Sequence, residues 1–182
     1  MRFNPFPEIK TKRLSLRKIL ESDCDEILFL RSDKTVNAYI ERAENRKTKN
    51  ISDAIKFIKN TAEYLETGRS IAWGITLNGD SEIIGTICLW NFSENNKIAE
   101  VGYDLNPKFQ GKGIMSETLR KVIDFGFKEL KLDKIEAFTN SENVRSTKLL
   151  ENNGFRLNGD RKDIDNDSNI IFELDNTSSE NG

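Results

Sequence analysis

Residues 106–117 read NPKFQGKGIMSE. Two glycines flank a lysine here, a proline stands at the front, and an amphipathic run, MSETLRKVIDFGFKEL, starts before the stretch is over. Apolar residues at 115, 119, 122, 123, 127 and 130 give that run helical spacing. KIAEVGYDL, just upstream, reads as a strand ended by Asn106-Pro107. The segment is therefore strand, glycine turn, helix. The first amides of a helix have no intrahelical partner and carry partial positive charge, and glycine lets a ligand come close to such a backbone. The arrangement suits a phosphate or pyrophosphate, with Lys108 and Lys112 adding attraction. It suits equally a tight connection carrying two solvated lysines, and spacing alone leaves both readings open. Two named phosphate loops are excluded. Lys112 is followed by Gly113, where a Walker loop needs Ser or Thr, and Ser116 stands where the dinucleotide fingerprint needs its last glycine.

Moving outward, RLSLRKI (13–19) alternates as a first strand, and Ser22 and Asp25 look like a helix start before CDEILFLR. A polar segment with a short helix follows. From Ile51, apolar residues at 51, 54, 55, 58, 62 and 65 form a helical stripe closed by Gly68. SIAWGITL and EIIGTICLWNF are strands joined by Asn78-Gly79-Asp80-Ser81, a hairpin signal. KIEAFTN is a strand, NVRSTKLLENN a short helix stopped by Gly154, and FRLNG with NIIFEL a closing hairpin. The order β–αα–βββ–α–β–α–ββ, with no linker or repeat, predicts one α/β (or α+β) domain over 1–175 with a mixed sheet. Residues 97–139 should hold one parallel crossover. Residues 176–182, NTSSENG, read as a disordered polar tail.

Composition narrows the chemistry. The chain has 182 residues and a net charge of −2, which argues against a nucleic-acid binder with a basic face. No run approaches a membrane span, and MRFNPFPEIK has no apolar signal core. Cys24 and Cys88 lie far apart, so a cytoplasmic protein with two reduced thiols is expected. There is no histidine. His-based triads are thereby excluded, and no metal is expected.

Gln110-Gly111-Lys112-Gly113-Ile114-Met115 resembles the Q/R-x-x-G-x-G/A pyrophosphate loop of the GNAT acyltransferases. TKRLSLRKI, AEVGYDLNPKFQGKGIMSE and NVRSTKLLENNGF, in that order, are similar to the RimJ/RimL branch, the ribosomal-protein N-terminal acetyltransferases, over most of residues 11–174. Met115 departs from the superfamily's usual Gly or Ala. The resemblance implies a mixed, mostly antiparallel sheet with a central parallel pair and helices on both faces. It implies acetyl-CoA as acetyl donor, lying in a V between AEVGYDL and KIEAFTN. The pantetheine would pair with the backbone from Val101 through Tyr103 to Leu105, and the pyrophosphate would rest on the amides of Lys112, Gly113, Ile114, Met115 and Ser116 after Gln110 and Gly111. Asn143 would serve as helix N-cap and pantetheine contact.

Acetyl transfer to an amine by direct attack needs a neutral amine, a polarised thioester carbonyl and a stabilised thiolate. Without histidine the base is a carboxylate, a water chain or nothing. Glu100 resembles the glutamate of the RimL-type motif; read plainly, it is a solvent-facing charge on a strand. Ser146 fits that branch's N-x-x-S motif and would donate a hydrogen bond to the thiolate. Its plain alternative is a helix hydroxyl bonded back to a carbonyl. Trp73 and Trp90 read as core, with Trp90, near a strand end, the candidate for lining an acceptor pocket. Arg42 to Lys49 reads as a solvated loop that could shape the acceptor mouth.

The expected acceptor is a protein N-terminal α-amine. Its pKa is near 8, so part of it is neutral at physiological pH, whereas lysine, near 10.4, is mostly charged. A small-molecule amine (antibiotic, polyamine or amino acid) is the alternative, and a non-catalytic acyl-CoA-binding module a further one. No nucleic acid or membrane partner is expected, and a homodimer is left open.

Overall fold

The computed structural model describes residues 3–177. Its strands are β1 (Ile9–Lys10), β2 (Leu14–Arg17), β3 (Ile71–Leu77), β4 (Gly85–Trp90), β5 (Ile98–Leu105), β6 (Lys134–Asn140), β7 (Arg156–Asn158) and β8 (Asn169–Asp175). Its helices are α1 (Cys24–Ser32), α2 (Ile51–Glu66), α3 (Ile114–Lys128) and α4 (Val144–Asn152). The eight strands form one sheet in the order β1-β2-β3-β4-β5-β6-β8-β7. Every neighbouring pair is antiparallel except β5 with β6. The expected mixed sheet with one parallel crossover through α3 is therefore present.

Alternation along the strands separates two faces. Trp73, Ile87, Leu89, Val101 and Ile135 join Leu119, Val122 and Leu150 in the larger core under α3 and α4. Ile19 and Ile83 join Ile27, Leu30, Ala54 and Ile58 under α1 and α2. Side chains buried this fully contribute about 1.5–3 kcal/mol each. Trp73 is a core residue as expected: it is fully buried, donates Nε1 to Pro7 O (2.8 Å), and meets Phe125 edge-on at 5.4 Å.

Some local readings shift. The residue that organises the start of α1 is Asp23, whose carboxylate accepts from Leu20 N (2.7 Å) and pairs with Arg17 (2.8 Å). The β3–β4 connection is longer than a tight hairpin. Gly79 takes φ +93°, but β4 starts only at Gly85, because Ile83 leaves the ladder and covers Gly74, where a Cβ would lie 2.3 Å from Ile83 Cδ1. β1 was not anticipated. Asn176, the first residue of the expected tail, donates to Asp133 O (2.8 Å), and residues 178–182 of that tail lie outside the described residues.

Candidate active site

The parallel strands pair only at their starts, Ile98 with Lys134, Ala99 with Ile135 and Glu100 with Glu136. Beyond Glu100 and Glu136 the ladder is lost, while β5 stays paired to β4 through Leu105 and β6 stays paired to β8 through Asn140. The strands thus diverge, leaving unpaired backbone along Val101 to Leu105. β5 then leads through a short 3-10 turn, Pro107–Phe109, capped by Asn106, into the glycine turn.

Gly111 and Gly113 both adopt the left-handed conformation, at φ +73° and +72°. Left-handed backbone costs an ordinary L-residue about 1–2 kcal/mol, so the two glycines fix the turn. Nothing lies within 4 Å of a Cβ built on Gly111. The amides from Gly111 through Ser116 find no acceptor among the described residues; the first amide after them, Glu117 N, bonds Gly113 O (3.0 Å). A run of orphan N–H groups with open space before it fits a phosphate-bearing ligand.

Sequence reading missed what braces this turn. Arg13 donates Nη1 to Lys112 O (2.9 Å) and pairs with Glu117 (2.7 Å), which also accepts from Thr11 Oγ1 (2.5 Å). Burial works against the Glu117 carboxylate, but the bonds from Thr11 and Arg13 outweigh it and hold its pKa below the ordinary value. Gln110 donates Nε2 to Leu105 O (3.1 Å) and accepts from Arg145 (2.6 Å), tying the end of β5 to α4. Ser116 Oγ is engaged by Asn153 (3.1 Å) and Arg120 (3.3 Å). Ile114, Met115, Val101 and Leu105 send their side chains into the core, so only their backbones are available to a ligand.

The remaining named residues flank the divergence from opposite faces. Tyr103 points toward α4, where its Oη lies 2.8 Å from Ser146 Oγ. Asn143 caps α4, its Oδ1 accepting from Ser146 N (3.1 Å). Burial pushes the Tyr103 phenol up to about 12 against the Ser146 bond, so it stays protonated at neutral pH. Glu100 is on the α1 face, opposite Trp90 in register. Burial first, then the nearby Asp163 and Glu136 carboxylates, push Glu100 up to about 7, against a hydrogen bond from Asn91 (3.5 Å) and the charge of Arg46. A carboxyl with that pKa changes charge near neutrality, the range in which general acid–base chemistry operates.

The basic stretch 42–49 divides in two. Lys47 and Lys49 both pair with Glu44 at the surface. Arg42 is instead partly buried toward the sheet, and Arg46, itself exposed, lies 5.9 Å from the Trp90 ring centroid. Asp104, on the same face as Glu100, accepts from Thr86 N (3.0 Å) and Oγ1 (2.9 Å), and burial raises its pKa. Among the described residues no cluster of three or more His, Cys, Asp and Glu could hold a metal. Nor is any helix long and apolar enough to cross a membrane. Both cysteines are free.

A mixed sheet with one splayed parallel pair and a glycine turn at its mouth defines a class of acyl-transferring proteins, and comparison with known proteins agrees. Residues 13–156 match the model of the acetyltransferase (GNAT) domain. The chain belongs to the GNAT acetyltransferase family and is an N-acetyltransferase. It is 35% identical over 164 residues to a Bacillus licheniformis protein named uncharacterized N-acetyltransferase p20, covering 90% of each chain. It is 34% identical over 154 residues to the uncharacterized N-acetyltransferase YoaA of Bacillus subtilis (strain 168), covering 85% of each. Among solved structures it is similar to RimL, a ribosomal L7/L12 α-N-protein acetyltransferase in complex with coenzyme A. The TM-score is 0.80 at 20% identity, covering 93% of this chain and 98% of the other. That likeness is one of fold.

Proposed function

We propose that this protein transfers acetyl from acetyl-CoA to an α-amine at a protein N-terminus by direct attack. The observation that carries the reading is the loss of the β5–β6 ladder after Glu100, opening onto the orphan amides of Gly111 to Ser116. The residues fit acetyl-CoA, which when bound supplies the thioester. The amides hold its pyrophosphate, the exposed edge of Val101 to Leu105 orders its pantetheine, and Asn143 adds a polar contact.

The chain's own groups supply the proton transfers. Glu100 takes a proton from the incoming amine, directly or through water, on the α1 face. Ser146, on the α4 side, donates a hydrogen bond to the leaving sulfur. Tyr103 donates to Ser146 Oγ and frees the serine proton for that bond. Trp90 lines the acceptor's approach. An α-amine suits this base: its pKa near 8 lies about one unit above that of Glu100, whereas a lysine lies more than three above.

The test has two arms, titration calorimetry with acetyl-CoA and a thiol-release assay over peptide and small-amine panels. Binding with turnover on peptide α-amines is the expected result. Turnover confined to small amines would replace the acceptor class, and no binding at millimolar acetyl-CoA would refute the reading.

A further inference from the structure

The sheet face that carries Glu100 is electrostatically unbalanced. Arg31 on α1, with Arg42 and Arg46 in the connection to α2, converges over it. Arg31 lies 3.9 Å from the Phe57 ring centroid and donates to Thr48 Oγ1 (2.9 Å) and Arg46 O (3.0 Å). Arg42 donates to Asn37 Oδ1. Among the described residues none of the three makes an ion pair, although Lys47 and Lys49 beside them share Glu44. Burial, and then the neighbouring guanidiniums, pull Arg31 down to about 10, and burial also lowers Arg42. Asp104 opposes both shifts, but it is a single carboxyl already engaged by Thr86.

Two carboxyls of β5 face them, Glu100 toward Arg46 and Asp104 toward Arg31 and Arg42, but burial raises both, so the three guanidiniums outnumber the negative charge that meets them and a further anion is favourable. Their position says where that anion belongs. Arg46 stands over Trp90, and Trp90 is the register neighbour of Glu100. Arg42 is coupled to Asp104, farther along the same face of β5. Between Glu100 and Asp104 lies Gly102, where a Cβ would meet Cys88 Sγ at 3.3 Å and Trp90 Nε1 at 3.6 Å. The lane from the base to the arginines is thus free of a β5 side chain. Four strand residues span about 13 Å, and an extended peptide advances about 3.3–3.6 Å per residue.

We propose that Arg42 and Arg46, backed by Arg31, bind a carboxylate of the acceptor, so that the preferred substrate is an α-amine with an acidic group close behind it. This rests on the N-acetyltransferase reading and narrows its acceptor. The carboxylate belongs either to an acidic side chain in the first few residues of a peptide, which can span the lane to Arg42, or to the α-carboxyl of a free amino acid, which is bonded to the carbon bearing its amine and can meet only Arg46 at the Glu100 end. Polycations such as polyamines are repelled by the same cluster.

The experiment measures kcat/KM at saturating acetyl-CoA for peptides with aspartate at positions two and three, their asparagine counterparts and lysine counterparts. Free amino acids and their carboxamides form a parallel arm. The aspartate peptide should exceed its asparagine counterpart by roughly ten- to a hundredfold, as one or two charge-assisted bonds provide. That ratio should fall toward one in Arg42→Gln and Arg46→Gln, and in Arg46→Glu the lysine peptide should overtake the aspartate one. A tenfold preference in the amino-acid arm alone assigns the carboxylate to a free amino acid. Equal use of acidic and amide-matched acceptors by the wild type in both arms overturns the proposal and leaves the acetyltransferase reading standing. If no acceptor is acetylated, that reading falls instead. Titration calorimetry with the aspartate and asparagine peptides then decides the anion site: tighter binding of the aspartate peptide supports it, and equal affinities overturn it.

Discussion

Tyr103 Oη and Ser146 Oγ stand 2.8 Å apart, joining strand β5 to helix α4 across a separation of 43 residues. A lone serine is a very weak acid. A serine that accepts from a phenol can direct its own proton elsewhere, and neighbouring bonds in such a chain strengthen one another. Tyr103→Phe and Ser146→Ala should each lower kcat by roughly ten- to a hundredfold, with a smaller change in acetyl-CoA affinity. If the hydroxyls act as a unit, the double variant loses little more than either single one. Steady-state kinetics of the cycle checks this. Fully multiplicative losses would separate the two roles, and a Ser146→Ala loss confined to affinity would make that hydroxyl a binding contact.

The turn offers a second prediction. A Cβ on Gly113 would meet only Arg13 Nη2, at an ordinary 3.6 Å, so the cost of a side chain there is backbone strain at φ +72°. Gly113→Val should destabilise the fold by at least about 1–2 kcal/mol and weaken acetyl-CoA by obstructing approach to the amides. Wild type in ligand at about 100 times Kd should gain roughly 2.7 kcal/mol. Thermal unfolding with and without acetyl-CoA measures both effects, and an unchanged ligand-induced shift in Gly113→Val would reduce the turn to a connection.

The brace from Thr11 and Arg13 to Glu117 carries a pH signature. A carboxyl with its folded pKa below the unfolded 4.5 adds stability above that value and loses it as pH falls through the folded pKa. Glu117→Gln should therefore cost about 1 kcal/mol at pH 7, a modest figure because Arg13 is nearly half exposed. The difference from wild type should shrink as pH falls through the folded pKa. Denaturant melts at pH 7 and pH 3 make the comparison. A deficit that does not shrink at all between pH 7 and pH 3 would assign the effect to packing.

How far the sequence revealed all this follows from how local each feature is. The glycine turn was legible because positive φ, orphan amides and helix spacing are written into one dozen residues. The parallel crossover was legible because β5, α3 and β6 are consecutive. Tyr103 meeting Ser146 was not, since it depends on α4 folding back over the divergence. Arg42 read as solvated with the rest of its basic stretch; only the tertiary fold buries it in part near Asp104 and brings the exposed Arg46 to the Trp90 ring. The late start of β4 was not legible either, since it depends on Ile83 packing over Gly74 of the neighbouring strand.

Glu100 yields the last prediction, in both catalysis and stability. With a pKa of about 7, it is mostly protonated at pH 6 and mostly ionised at pH 8. The wild-type kcat/KM profile should therefore rise with an apparent pKa near 7. Glu100→Gln should remove that limb and leave only the amine's own, near 8. The difference between the two enzymes is then widest between pH 7 and 8, and narrows above that range as the amine deprotonates unaided. Stability moves the other way. Because the folded pKa lies above the unfolded 4.5, the native state binds more protons between those values, and the charged carboxylate destabilises it increasingly up to pH 7. Glu100→Gln should accordingly stabilise the protein at pH 8 by an amount on the order of 2 kcal/mol and leave it unchanged near pH 4. A variant that is slower yet more stable at pH 8 identifies a carboxylate held in a costly site for its chemistry. A variant with the stability gain but a wild-type rate profile would leave Glu100 buried without a catalytic role, and proximity would then account for the transfer.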